Sequence, residues 1–119
     1  MNNDFKIFNT VEDILDMIVN ITYQHNCDSA IIGKEQLNPD FFDLKTGFAG
    51  EILQKFVTYN IRLGIVGDFS AITSKNFRDF IYESNKVGQI VFAKNAETAT
   101  ELLTDNGRRA CKIYKFHIN

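Results

Sequence analysis

An α/β fold built on a single, mostly parallel sheet follows from three features of this sequence. Short apolar or β-branched runs alternate with amphipathic segments in the order β-α-β-α-β-α-β-α-β. The run Ile61–Gly67 is apolar on both faces except at Arg62, the pattern of a central strand covered on both sides. Between Thr46 and Asn60, Phe48, Ile52 and Phe56 fall on one line and Ala49, Leu53 and Val57 on the next, so this segment is a helix that lies against the sheet. Each large member of that stripe, fully buried, contributes about 1.5–3 kcal/mol of transfer free energy.

Taken in order, Asp4–Asn9 reads as a short first strand. Thr10 opens a helix, because its hydroxyl can accept from the free N–H of Asp13, and Glu12 and Asp13 suit the positive helix end. Ile14, Leu15, Ile18, Val19 and Ile21 form its apolar stripe, and it stops near His25-Asn26. Ser29–Gly33 is the second strand. Asn38 caps one tight turn that begins at Pro39, and the main helix follows. After Ile61–Gly67 and the loop GDFSAIT, Ser74 or Thr73 caps a helix that buries Phe77, Phe80, Ile81 and Ser84. Gly88–Ala93 is a strand. Asn95 caps a short helix with Ala99, Leu102 and Leu103 inward, and Gly107 suits its left-handed C-terminal position. Cys111–Ile118 closes the chain as an alternating strand, with Tyr114, Phe116 and Ile118 on one face. This strand pairs either within its own sheet or across a dimer.

At 119 residues the chain is one domain, without repeat, linker or low-complexity segment. Phenylalanine stands out at eleven residues, most of which must fill the core. A net charge of −2 argues against a phosphate-backbone binder, although Arg108, Arg109, Lys112 and Lys115 make the C-terminal stretch basic. Those cations are either a solvated strand face or a surface for an acidic partner. Cys27 and Cys111 have neither CxxC nor metal spacing, as expected of reduced thiols in the cytoplasm. No signal peptide is expected at the N-terminus, and no run approaches the ~20 apolar residues of a membrane span.

The block FFDLKTGFAGEILQKF, then LGIVGDF, then SKNFRDFIYESN, is similar to a small bacterial family known as domain of unknown function 4180, over roughly residues 5–103. The element order, with a glycine-marked helix start after the second strand, also resembles the STAS fold of sulfate-transporter tails and anti-sigma-factor antagonists. In STAS antagonists the residue before the glycine of this turn is phosphorylated, and Thr46 holds that place here. Lys45 and Leu44 stand where STAS domains carry a serine and an acid. The resemblance implies a regulatory protein-interaction module and supplies no activity.

The residues themselves give each candidate two readings. Thr46 is either a phosphate acceptor at a helix start, where free N–H groups and the dipole favour an anion, or an N-cap, with Gly47 and Gly50 making room for close approach. Glu51 and Lys55 either form a helical ion pair or, with Lys45, flank a ligand. Asp68 directly follows the central strand, at the carboxyl edge where open α/β sheets place their sites; Ser70, Thr73, Ser74 and Lys75 follow it, and Asp43 and Thr46 are expected at the same edge. These polar groups either hold a ligand or fix turns and caps. Of Phe41 and Phe42, at least one plugs the core, and the other is a candidate interface anchor. His25 and His117 lack acids or cysteines at metal or triad spacing. No P-loop ending and no GxSxG elbow occurs.

The sequence thus points to a non-enzymatic module that needs no metal or cofactor. It would bind a protein partner or a second copy of itself through Asp43–Gly50 and Asp68–Lys75, with phosphate at Thr46 as a regulatory extension. The alternative is a small-ligand or nucleotide sensor, or a modest enzyme, that uses Asp68, Lys45 and Glu51. A nucleic-acid role through the basic tail ranks third.

Overall fold

The computed structural model describes residues 6–104 and 112–116. Four strands, β1 (Ser29–Gly33), β2 (Arg62–Val66), β3 (Ile90–Ala93) and β4 (Ile113–Lys115), form one sheet in the order β3-β2-β1-β4. Every neighbouring pair is parallel. β4 lies beside β1, so the last strand pairs within the chain. The described part of the expected first strand, residues 6–9, does not join the sheet. It makes one isolated bridge, Phe8 to Leu37, because the Phe8 N–H and C=O are taken by Gln36 and Asn38 outside the sheet. Asp4, Phe5, Gly107, Arg108, Arg109, Cys111, His117 and Ile118 lie outside the described residues.

The caps form where local chemistry places them. Thr10 Oγ1 accepts from Asp13 N at 3.1 Å and Asp13 Oδ2 accepts from Thr10 N at 3.2 Å, opening α1 (Val11–Val19) with a reciprocal capping box. A single wide turn, Asn20–Gln24, extends α1 to His25, and Asn26 turns the chain with a φ of 55°. Met17 is buried in this helix while Val19 faces out, because the stripe runs Ile14, Met17, Ile18 and Ile21. Ser74 caps α3 (Lys75–Val87) through Phe77 N at 3.2 Å, and Asn95 caps α4 (Ala96–Thr104) through Thr98 N at 2.8 Å. The main helix, α2, spans Phe48–Tyr59; Ala49, Ile52 and Phe56 are buried, while Val57 is exposed.

Strand register sorts the core into two faces. Ala30, Leu63 and Ile90 sit side by side, as do Ile32, Ile65 and Phe92, and both rows pack against α1, α2 and α3. The intervening row, Ile31, Gly64 and Val91, faces α4 through Ala99 and Leu103. β2 is therefore buried along its whole length, as its apolar run requires. Gly64 is what lets α4 settle. A Cβ there would lie 3.2 Å from the Ala99 Cβ, 3.3 Å from Ile31 and 3.5 Å from Leu103.

β3 is an edge strand whose outward groups at Phe92 are not left open. The Asn85 amide, from α3, accepts from Phe92 N at 2.7 Å and donates to Phe92 O at 3.3 Å. It occupies the place of a neighbouring strand and so blocks pairing with another chain. Gln89 is buried and donates to the carbonyls of Phe56 and Ile61, at 3.1 and 2.7 Å, satisfying the end of α2 where it turns into β2.

Two substitutions test these constraints. Gly64→Ala presses on the Cβ of Ala99, which has no side-chain torsion to move it aside, and it should lower stability by about 1–3 kcal/mol in urea unfolding. Asn85→Ala should cost about 1–3 kcal/mol as well, and it should add concentration-dependent self-association in sedimentation experiments by uncovering the Phe92 edge.

Candidate functional site

Because the sheet is parallel, the carboxyl ends of its strands meet at one edge. Gly33, Val66 and Ala93 lie in register there. The residues that follow, Lys34, Gly67-Asp68 and Lys94, consequently stand side by side. The half-buried Lys34 side chain crosses from β1 to β2. Its stem lies on Gly67, where a Cβ would come within 2.8 Å of the Lys34 Cγ and Cδ. Its ammonium donates to the carbonyl of Asp68 and sits 5.7 Å from the centre of the Phe69 ring. Glycine at position 67 is therefore a condition for this latch.

Asp68 turns back on its own loop. Its Oδ1 accepts from Ser70 N at 3.0 Å. Hydrogen bonding from Ser70, with a smaller contribution from the Lys34 and Lys94 charges, holds its carboxyl below the usual carboxylate range. The loop that starts here separates two hollows. One, of about 520 Å³, has an apolar lining of Ile7, Leu37, Pro39, Phe42 and Ile72, with Lys34 and Glu35 completing it. The other, of about 630 Å³, lies over the ends of β2 and β3, between Asp68, Phe69, Ser70, Ile81, Phe92 and Lys94. Both volumes are within the range typical of small-molecule sites.

The residues expected from sequence divide into two groups. Phe41 is fully buried, and its ring centre lies 5.2–6.5 Å from those of Phe42, Phe48, Phe77 and Phe92. Phe42 is half-buried and forms a wall of the first hollow, 6.3 Å from Phe69. The main helix starts two residues later than the sequence suggests. Leu44–Thr46 is instead a short 3-10 turn that Asp43 Oδ1 caps through Lys45 N at 3.1 Å. Gly47 follows with a φ of +79°, which accounts for glycine there. Thr46 is therefore not the cap that begins the helix. Its hydroxyl oxygen is 2.8 Å from the carbonyls of both Asp40 and Asp43 and accepts from Phe48 N at 3.2 Å, so it locks the turn. Nothing approaches the place of a Cβ at Gly50, so that glycine does not serve close packing.

Glu51 and Lys55 do not meet; among the described residues the ion pair is Lys75–Asp79, at 3.0 Å and exposed. A solvated pair gains too little to fix two long side chains, which is why spacing alone is a weak guide. Ser74 is a helix cap and Lys75 belongs to that exposed pair. Among the described residues no hydrogen bond or ion pair joins Lys45, Thr46 or Glu51 to Asp68, Ser74 or Lys75. The Phe42–Phe69 contact is what links the two loops.

Asp68 is instead grouped with Lys34 and Lys94, neither of which was singled out from sequence. One signal was available: each directly follows the carboxyl end of a strand, the same position rule that picks out Asp68. Gln36 was missed as well. It is buried, accepts from Gly33 N at 2.8 Å and donates to the Lys6 carbonyl at 3.1 Å, pinning the N-terminal segment beside the first hollow. Elsewhere, His25 stacks 4.3 Å from Tyr114, and burial pushes the Cys27 thiol up, away from nucleophilic character. No helix among the described residues is long and apolar enough to cross a membrane.

A family model described as a domain of unknown function (DUF4180) matches residues 1–103, stopping before β4. No curated protein and no solved structure matches the chain. The geometry of the Pro39–Gly47 segment can be tested directly. Thr46→Val should lower stability by about 1–2 kcal/mol in urea unfolding, because the backbone groups it serves lose their partner, and Thr46→Ser should recover most of that loss.

Proposed function

This chain belongs to the DUF4180 family, and on that premise we propose that it is a non-enzymatic protein-interaction module of regulatory type. Its docking site is the hollow walled by Ile7, Leu37, Pro39, Phe42 and Ile72. The occupant is a partner-protein segment that presents a bulky apolar side chain, with polar flanks meeting Lys34 and Glu35. The carrying observation is the hollow itself. Its lining is apolar, it opens at the carboxyl edge, and Ile7 stands 42% exposed at its border. An aliphatic side chain exposed beside an apolar cleft favours burial against a partner. A second copy of this chain is the competing occupant. The proposal places the module in the cytoplasm, on the strength of cysteines that sit in neither metal nor redox spacing.

Within this reading, phosphate on Thr46 acts by loosening. The hydroxyl faces the carbonyl oxygens of Asp40 and Asp43, so a phosphate would replace a donated hydrogen bond with repulsion. The turn that carries Phe41 and Phe42 would then be released from α2. A sensor built from Asp68, Lys45 and Glu51 together gains no support, since Asp68 lies in the loop after β2, Lys45 in the 3-10 turn and Glu51 in the first turn of α2.

Photo-crosslinking from position 7 in cells, followed by mapping of the crosslinked peptide, tests the docking site. The expected product is one partner protein joined through an apolar segment, lost in Ile72→Asp and Phe42→Asp variants that keep the probe at position 7 and whose melting temperatures stay within a few degrees of the parent. A crosslink between two copies of the chain would reassign the hollow to self-association. A partner retained by both variants would overturn the proposal.

A further inference from the structure

The second hollow has a different character from the docking cleft. Its sides are Phe69, Ile81 and Phe92, and its rim carries one acid and one base, Asp68 and Lys94. The two charges arise from the fold, since Asp68 and Lys94 follow the adjacent strands β2 and β3 at the same edge. Among the described residues Lys94 has no ion-pair partner, and the Asp68 carboxylate is exposed. Phe69 is fixed as a wall, with its ring centre 5.4 Å from that of Phe92 in an edge-to-face contact. The Asp68-Ser70 turn and the bond from Ile72 N to Phe69 O, at 3.1 Å, give the loop its own internal order.

Charge sorts the possible occupants. A simple anion attracted to Lys94 meets the Asp68 carboxylate, and a simple cation attracted to Asp68 meets Lys94 and Lys34. A molecule that carries both charges on groups attached to one carbon, together with an apolar body, satisfies the rim and the walls at once. We propose that this hollow is a site for a free amino acid with an aromatic or branched aliphatic side chain. Its α-ammonium group pairs with Asp68, its α-carboxylate pairs with Lys94, and its side chain lies among Phe69, Ile81 and Phe92. This inference is separate from the docking of a partner protein and does not depend on it.

Titration calorimetry and backbone NMR with L-phenylalanine and L-leucine provide the test. Both should bind and shift the resonances of Gly67–Ser70 and Phe92–Lys94. Phenylalaninamide, which lacks the carboxylate, and N-acetylphenylalanine, which lacks the ammonium group, should each bind at least about tenfold more weakly. Lys94→Gln should abolish the preference for phenylalanine over its amide. Asp68→Asn, which keeps the acceptor for Ser70 N, should abolish the preference over the N-acetyl derivative. No shift at those residues with either amino acid up to about 10 mM would overturn the proposal. Equal affinity for the charged and blocked forms would overturn it as well.

Discussion

The edge that carries both hollows is held up by one side chain, Phe41. It comes from a short 3-10 turn, Pro39–Phe42, a kind of segment that normally runs over the surface with polar residues. Here the turn drives a ring with no exposed surface into the space between α2, α3 and β3, against Phe48, Phe77 and Phe92. Phe42, the next residue, then has no freedom of placement and becomes the wall shared with Phe69 and Phe77. Edge-to-face and tilted ring contacts of this kind add about 0.5–1.5 kcal/mol per pair beyond the area they bury. The cluster thus fixes the direction of the β1–α2 connection, and with it the shape of everything at the carboxyl edge.

A second constraint is the accounting of backbone hydrogen bonds where elements end. Four of the residues involved are long polar side chains acting in place of backbone. Gln36 bonds Gly33 and Lys6, Asn85 bonds both polar groups of Phe92, Gln89 closes α2 onto β2, and Lys34 reaches the Asp68 carbonyl. Buried peptide groups left without partners would each cost about as much as a lost hydrogen bond. A short sheet of three- to five-residue strands has many such ends for its size, so these side chains contribute heavily to its integrity.

The same distinction explains what the sequence revealed. The caps at Thr10, Asn38, Ser74 and Asn95 could be read because their partners lie two or three residues away, and the strand Ser29–Gly33 and the buried strand after Ile61 because a short apolar run marks a strand whatever it pairs with. Gln89 and Lys34 could not, since their partners lie 28 to 34 residues distant and only the fold brings them together. The described part of the expected first strand lies off the sheet because an apolar, alternating segment satisfies its hydrogen bonds equally well against a loop, as Phe8 does with Gln36 and Asn38. At the candidate site, Asp68 was legible from its position after a strand, whereas its grouping with Lys34 and Lys94 depended on which strands are neighbours. Sheet order is a tertiary fact, and the sequence pattern leaves several orders open.

That sheet order also places two hollows on opposite sides of a single loop. Ile72 lines the first hollow and Gly67–Ser70 lines the second, with Lys34 bordering the first and latched to the second through Asp68. The loop is held from three directions: by Phe42 and Phe92 against Phe69, by Lys34 over Gly67, and by its own turn. Whatever fills either hollow therefore presses on the same short segment. Any change of loop position that favours one occupant alters the fit of the other by the same free energy, because coupling between two sites is reciprocal. A rigid loop would make that coupling negligible, and a loop with two packings would make it large. The deciding contact is the Lys34 latch, a charge-assisted hydrogen bond with a ring beneath it and its ammonium near solvent, the one restraint here that ties the loop to another strand and that water can replace.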